Sequence, residues 1–206
     1  MRRLWLSLAI AVALTLAVSQ AVLPGYLSGE IEDRLTADGG RADVTLEAIP
    51  ALRMLAKDGE RIEIEGDGLV IDLAEPERKV FDKLDGFAEV AIRLRRLRAE
   101  PFEVATFELT RGDGEEEYRL RIGAATSASK LSRWAASRLG GPLAGIAAGL
   151  AGGSLPAGRE AVPVVLDARL RSDDGRADVV SGAGTIAGVP SGPLAELLAG
   201  AIAGRL

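Results

Sequence analysis

Hydrophobic and polar residues alternate in short runs along much of this chain, and glycine, proline and aspartate punctuate the runs. "ADVTLEAIP" puts Val44 and Leu46 on one face and Asp43, Thr45 and Glu47 on the other, the pattern of a half-buried strand. "ERIEIEGDGLVIDL" repeats the period with Ile62 and Ile64 opposed to Glu63 and Glu65, and its Gly66-Asp67-Gly68 break predicts a bulge or bend. Val90, Ile92 and Leu94 share a parity that Leu97 breaks, so a bulge near Arg95-Arg96 would keep all four facing inward. Two hairpins follow. One turns across Gly112-Asp113-Gly114, with Phe107 and Leu109 on the side of Tyr118, Leu120 and Ile122; the other turns across Asp173-Asp174-Gly175, with Leu166, Ala168 and Leu170 on one face.

Helical spacing appears between these runs. Leu27, Ile31 and Leu35 predict a helix from Pro24 that stops at Asp38-Gly39-Gly40. Pro50 and Gly59 bracket a short helix, Pro76 and Gly86 another, the latter with Val80, Phe81 and Leu84 inward. "TSASKLSRWAASR" predicts a helix capped by Thr126 or Ser127, and the closing "SGPLAELLAGAIAGRL" predicts an amphipathic one. Two groups of antiparallel strands with helices at the start, middle and end define an α+β domain.

The N-terminus carries a different signal. Met1-Arg2-Arg3 is followed by the uncharged run Leu4–Val18, 15 residues long, and Ser19-Gln20-Ala21 places small residues where a leader peptidase cuts. Extended through Leu23 the run reaches 20 residues, about the length of a membrane-spanning helix. Residues 1–21 therefore read as a signal peptide or an N-terminal membrane anchor, and residues 22–206 as a single domain. Either way the two arginines stay cytoplasmic and the domain is exported. With no cysteine after the run, lipoprotein acylation is excluded.

Composition then removes whole classes of chemistry. The chain has neither histidine nor cysteine, which excludes Ser-His-Asp and Cys-His catalysis and every common zinc site. Aromatics make up only 4% of residues, so Leu, Val, Ile and Ala must fill the interior. Residues 22–206 carry 23 Lys and Arg against 30 Asp and Glu, a net charge of −7, so bulk attraction to nucleic acid or to anionic lipid is not expected. "RLRRLR", with Arg93, Arg95, Arg96 and Arg98, reads as a solvated strand face, with contact to a phosphorylated head group as the sharper alternative. Glu63, Glu65, Asp67 and the run Glu115–Glu117 are the carboxylates available to a hydrolase, but alternation puts Glu63 and Glu65 in solvent and the run beside a turn. "GDGLV" and "GPLAGIAAG" lack the residues and setting of a nucleotide loop. No catalytic set, metal or cofactor is expected.

The segment "LGGPLAGIAAGLAGG", Leu139–Gly153, has no charged or hydrogen-bonding side chain. It is short for a membrane span and contains Pro142, which leaves a loosely packed core segment or the wall of an apolar cavity. The order of elements bears on that choice. "LPGYLSGEIEDRL", "ADVTLEAIPALRMLAKDGERIEIEGDGLVIDL", "TSASKLSRWAASRLGGPL" and "VVSGAGTIAGVPSGPLAELLAGAIAGRL" together resemble the LmeA-like lipid-binding proteins of the actinobacterial cell envelope. The resemblance implies curved antiparallel sheets with long helices enclosing an elongated apolar cavity, in the tubular lipid-binding manner. It also implies a phospholipid or related acyl lipid as ligand and a role in envelope lipid or glycolipid assembly. Leu52, Leu55, Phe81, Phe107, Trp134, Leu139, Leu143, Ile146, Leu150 and Leu198 are the expected lining residues. The competing expectation is an envelope scaffold that presents its surface to a protein partner and holds no ligand.

Overall fold

The computed structural model describes residues 2–71, 81–127, 130, 161–186 and 189–190. A long helix, α1 (Arg2–Thr36), precedes strands β1 (Arg41–Glu47), β2 (Gly59–Asp67), β3 (Phe87–Ala99), β4 (Phe102–Arg111), β5 (Glu117–Ser127), β6 (Ala161–Asp173), β7 (Arg176–Ile186) and the two-residue β8 (Val189–Pro190). All eight strands form one sheet in chain order. The two predicted hairpins, β4–β5 and β6–β7, are joined edge to edge because β5 pairs with β6 from Glu117↔Arg171 to Ser127↔Ala161.

Alternation gives each strand one buried face. In β6 every second residue from Val162 to Leu170 is buried while Asp167, Arg169 and Arg171 face water. Ile64, Ile92, Leu109, Leu120, Val164 and Leu170 are fully buried and form the centre of a single aliphatic core. The expected parity break in β3 is present, without a register shift against either neighbour. Arg96 adopts a left-handed φ of 52°, and Leu94 and Leu97 on either side of the parity break are both buried. β4 carries a matching irregularity, so β3–β4 register is unchanged and the slip shows against β5, between Val104 and Thr106.

Four expectations are corrected. The sheet is mixed, since β2 and β3 run parallel and are linked by the crossover 68–86. Nor do long helices enclose a cavity: among the described residues α1 is the one extended helix, and the domain is dominated by its sheet. The helices read between Pro50 and Gly59 and between Pro76 and Gly86 are 3₁₀ turns, Ala51–Ala56 and Phe81–Lys83. Lys57, in left-handed conformation, ends the first after six residues, too few to bury an α-helical face. The Pro24 helix is also no separate element, because α1 runs through Pro24, which removes one backbone donor without ending the helix. Ser127 Oγ accepts the Lys130 N–H at 3.2 Å, the bond expected of a capping residue, while Thr126 instead donates to the Pro101 carbonyl. The remainder of that helix and the closing one lie outside the described residues.

The crossover is pinned under the sheet. Phe81 N donates to the Gly175 carbonyl in the β6–β7 turn at 2.9 Å, a contact that requires the sheet to curl around residues 81–87. Phe81 also packs on Tyr118, with ring centroids 4.4 Å apart. The Tyr118 hydroxyl donates to Asp85 Oδ1 at 2.8 Å and accepts from Arg111 Nη1 at 2.7 Å, and Arg111 continues to the Phe87 carbonyl. Ser172 Oγ donates to the other Asp85 oxygen at 2.5 Å. Burial pushes the Tyr118 hydroxyl pKa up, against the pull of Arg111, and the group stays a neutral donor. Tyr118→Phe leaves Asp85 and Arg111 each short of a partner. It should cost about 1–3 kcal/mol, read as a lower denaturant midpoint with unchanged slope; an unchanged midpoint would contradict the role given to this network.

Candidate functional site

The second half of α1 lies along β1, the edge strand, and two polar side chains fasten it there. Glu32 Oε1 accepts the Val44 N–H at 2.9 Å and so occupies part of the unpaired edge. Twelve residues earlier, about 18 Å along the helix axis, the Gln20 amide donates to the Ala48 carbonyl and accepts from Ala51 N–H, both at 2.7 Å. Between these fastenings Leu27 and Ile31 pack against the core of the sheet and are only partly buried.

What remains is a partly open cavity of about 230 Å³. Leu27 and Ile31 of α1, Leu46 of β1, Met54 of the 3₁₀ turn, Ile62 and Ile64 of β2, and Leu84 and Phe87 at the crossover supply its apolar wall. Charged side chains stand at the rim: Glu30 and Arg34, paired along the helix, together with Lys57 and Lys83. Lys57 Nζ reaches Asp82 at 3.2 Å and ties the 3₁₀ turn to the crossover. Close packing behind the rim needs a glycine at 86, because a Cβ there would meet the Lys57 carbonyl oxygen at 1.8 Å. An apolar interior with a charged mouth can hold a hydrocarbon chain and leave a polar head in water.

The expected lining residues fare differently. Leu52 and Leu55 are exposed on the outer side of the 3₁₀ turn, where three residues per turn bring Ala51 and Met54 inward instead. Phe81 and Phe107 are buried, the first against Tyr118 and the second opposite Leu94, and neither lines the cavity. Trp134, Leu139, Leu143, Ile146, Leu150 and Leu198 lie outside the described residues. The residues that do line it carried a signal in the sequence. Leu27 and Ile31 form the helical stripe and Leu46, Ile62 and Ile64 the inward strand positions, but nothing in the spacing showed that the helix covers those two strands.

The solvent face of the sheet is occupied by ion pairs. Glu63 binds Arg61 and Arg93 at 3.0 and 2.7 Å, Glu115 binds Arg119, and Glu117 binds Arg169 and Arg171. Arg96 hydrogen-bonds Asp67 and holds its carboxyl below the usual carboxylate range. These carboxylates are paired with cations on exposed strand faces, in the solvated state that the alternation predicts. Arg41, Arg93, Arg95 and Arg96 do border a shallow polar depression, but Asp43, Glu65 and Asp67 share it.

Among the described residues no helix is long and apolar enough to cross a membrane. The side chains of 2–17, which hold most of the apolar run, lie outside those residues. Compared with protein-family models, curated proteins and solved structures, the chain matches none.

Gln20→Ala removes both partners from the 48–51 loop. The expected cost is about 1 kcal/mol, with faster amide exchange at Ala51; unchanged exchange there would show that Gln20 does not hold the loop.

Proposed function

We propose that this is an exported cell-envelope protein, secreted or tethered through its N-terminal segment, that holds part of one acyl chain of a phospholipid or related lipid between α1 and the sheet. The carrying observation is the apolar cavity lined by Leu27, Ile31, Met54, Ile62, Ile64 and Phe87, with the charged side chains Glu30, Arg34, Lys57 and Lys83 at its mouth. Burial of hydrocarbon drives binding at about 0.8 kcal/mol per CH2, and the head group stays at the rim near Arg34, Lys57 and Lys83. The volume falls below the about 300–1,000 Å³ usual for pockets that enclose a drug-sized ligand, so the site takes a segment of one chain and not a whole two-chain lipid. Support for the N-terminal segment being retained comes from Gln20, whose two bonds to the domain a cut after Ala21 would remove. The resemblance to LmeA-like proteins points the same way for the ligand, and suggests service in envelope lipid or glycolipid assembly. No turnover is assigned: of the carboxylates considered for it, Glu63, Glu65, Asp67, Glu115 and Glu117 are ion-paired.

A scaffold without ligand is the second reading, favoured by the small size of the cavity beside a fully packed sheet core. The two separate on a fluorescent fatty-acid analogue titrated into the protein and into Ile31→Trp, which fills the cavity. Saturable binding that falls at least about tenfold, or 1.4 kcal/mol, in a variant of unchanged circular dichroism supports the acyl-binding reading. No binding, or equal binding by both proteins, supports the scaffold.

A further inference from the structure

Among the described residues, five of the eight large exposed hydrophobic side chains stand on the 49–55 loop or on α1 beside Gln20. Ile49 is 75% exposed, Leu55 66%, and Leu52 41%, all on the loop and 3₁₀ turn between β1 and β2. Val18 and Val22, each 61% exposed, stand two residues either side of Gln20 on α1, on the helix face away from the loop to which Gln20 is bonded. The other three are Tyr26, further along α1, and Val165 and Val180 on β6 and β7.

We infer that this end of the molecule, Ile49, Leu52 and Leu55 with Val18 and Val22, docks into the interfacial layer of a lipid membrane. Three observations carry the inference. Four backbone groups of the loop are bonded to side chains of the protein: Ala48 O and Ala51 N to Gln20, Ile49 N to Glu60, and Ile49 O to Arg53. Groups bonded in this way lose no partner on entering a region poor in water. The loop is also rigid. Ala51 and Met54 are buried beneath it, and Arg53 is clamped by Asp58 and Glu60 at 2.6–2.9 Å. Finally, the patch is continuous with the most apolar part of the chain, because α1 runs without a break from Gln20 back through Leu4–Val18. An apolar end fed by an uncharged helix selects lipid over a polar partner.

The inference deepens the proposed function and rests on its membrane association. Met54 lines the cavity on the inner side of the turn whose outer side shows Leu52 and Leu55. Docking would therefore bring the Met54 side of the cavity wall toward the lipid surface.

The chain has no cysteine, so Leu55→Cys and Glu100→Cys each give a single labelling site. Glu100 follows the far end of β3, opposite the 49–55 loop. Both full-length variants, labelled with an environment-sensitive fluorophore, are mixed with vesicles of equimolar phosphatidylcholine and phosphatidylglycerol carrying doxyl-labelled lipid. The expected result is a blue shift and loss of most emission at position 55, with neither at position 100. Vesicle-bound protein whose position 55 stays in water overturns docking while leaving acyl-chain binding to be judged by the Ile31→Trp titration. A blue shift without lipid quenching that grows with protein concentration also overturns it, and assigns the patch to a second copy of the chain. Failure to bind vesicles at all overturns both docking and the membrane tether.

Discussion

Two hydrogen-bonded fastenings between α1 and the edge of the sheet set the geometry on which the site depends. Glu32 on the Val44 amide and Gln20 on the 48–51 loop fix the helix at points about 18 Å apart. Leu35 is buried close to the first of them, whereas Leu27 and Ile31, between the two, are only partly buried. The helix is thus held over β1 and β2 by polar contacts at its ends and underfilled in the middle. A cavity follows because side chains the size of leucine and isoleucine cannot bridge the span that the fastenings impose.

The other end of that constraint is the crossover. A parallel β2–β3 pair needs a connection that leaves the sheet and returns to it, and residues 81–87 make the return beneath the curled strands. Asp85, Arg111, Tyr118 and Ser172 lock it with polar bonds that each element shares with another. Leu84 and Phe87, held in place by this lock, form the floor of the cavity. The same residues therefore stabilise the sheet's curvature and define how deep the site can be.

Much of the sheet was legible in the sequence, because a two-residue period states directly which face of a strand is buried. It located both hairpin turns and the parity break at Arg96. Pairing partners were less accessible. The period of β2 and β3 is the same whether they run parallel or antiparallel, so the mixed sheet and the merging of two strand groups into one left no trace in it. The short turns failed for another reason: proline before and glycine after a six-residue apolar stretch fit an α-helix and a 3₁₀ turn equally, yet the two place Leu52, Leu55 and Met54 on different faces. That difference of pitch is why Leu52 and Leu55, expected in the wall, stand outside, and why Met54 takes their place.

Met54 also gives the most direct view of the site, since Met1 is the only other methionine in the chain. With methionine methyls carrying 13C, the Met54 resonance reports on the cavity wall alone. Titration with a doxyl-labelled fatty acid should broaden that resonance saturably, while an unlabelled fatty acid added in competition restores it. A Met54 signal that neither moves nor broadens, in a folded protein at lipid concentrations that saturate other apolar sites, would contradict an acyl chain bound between α1 and the sheet.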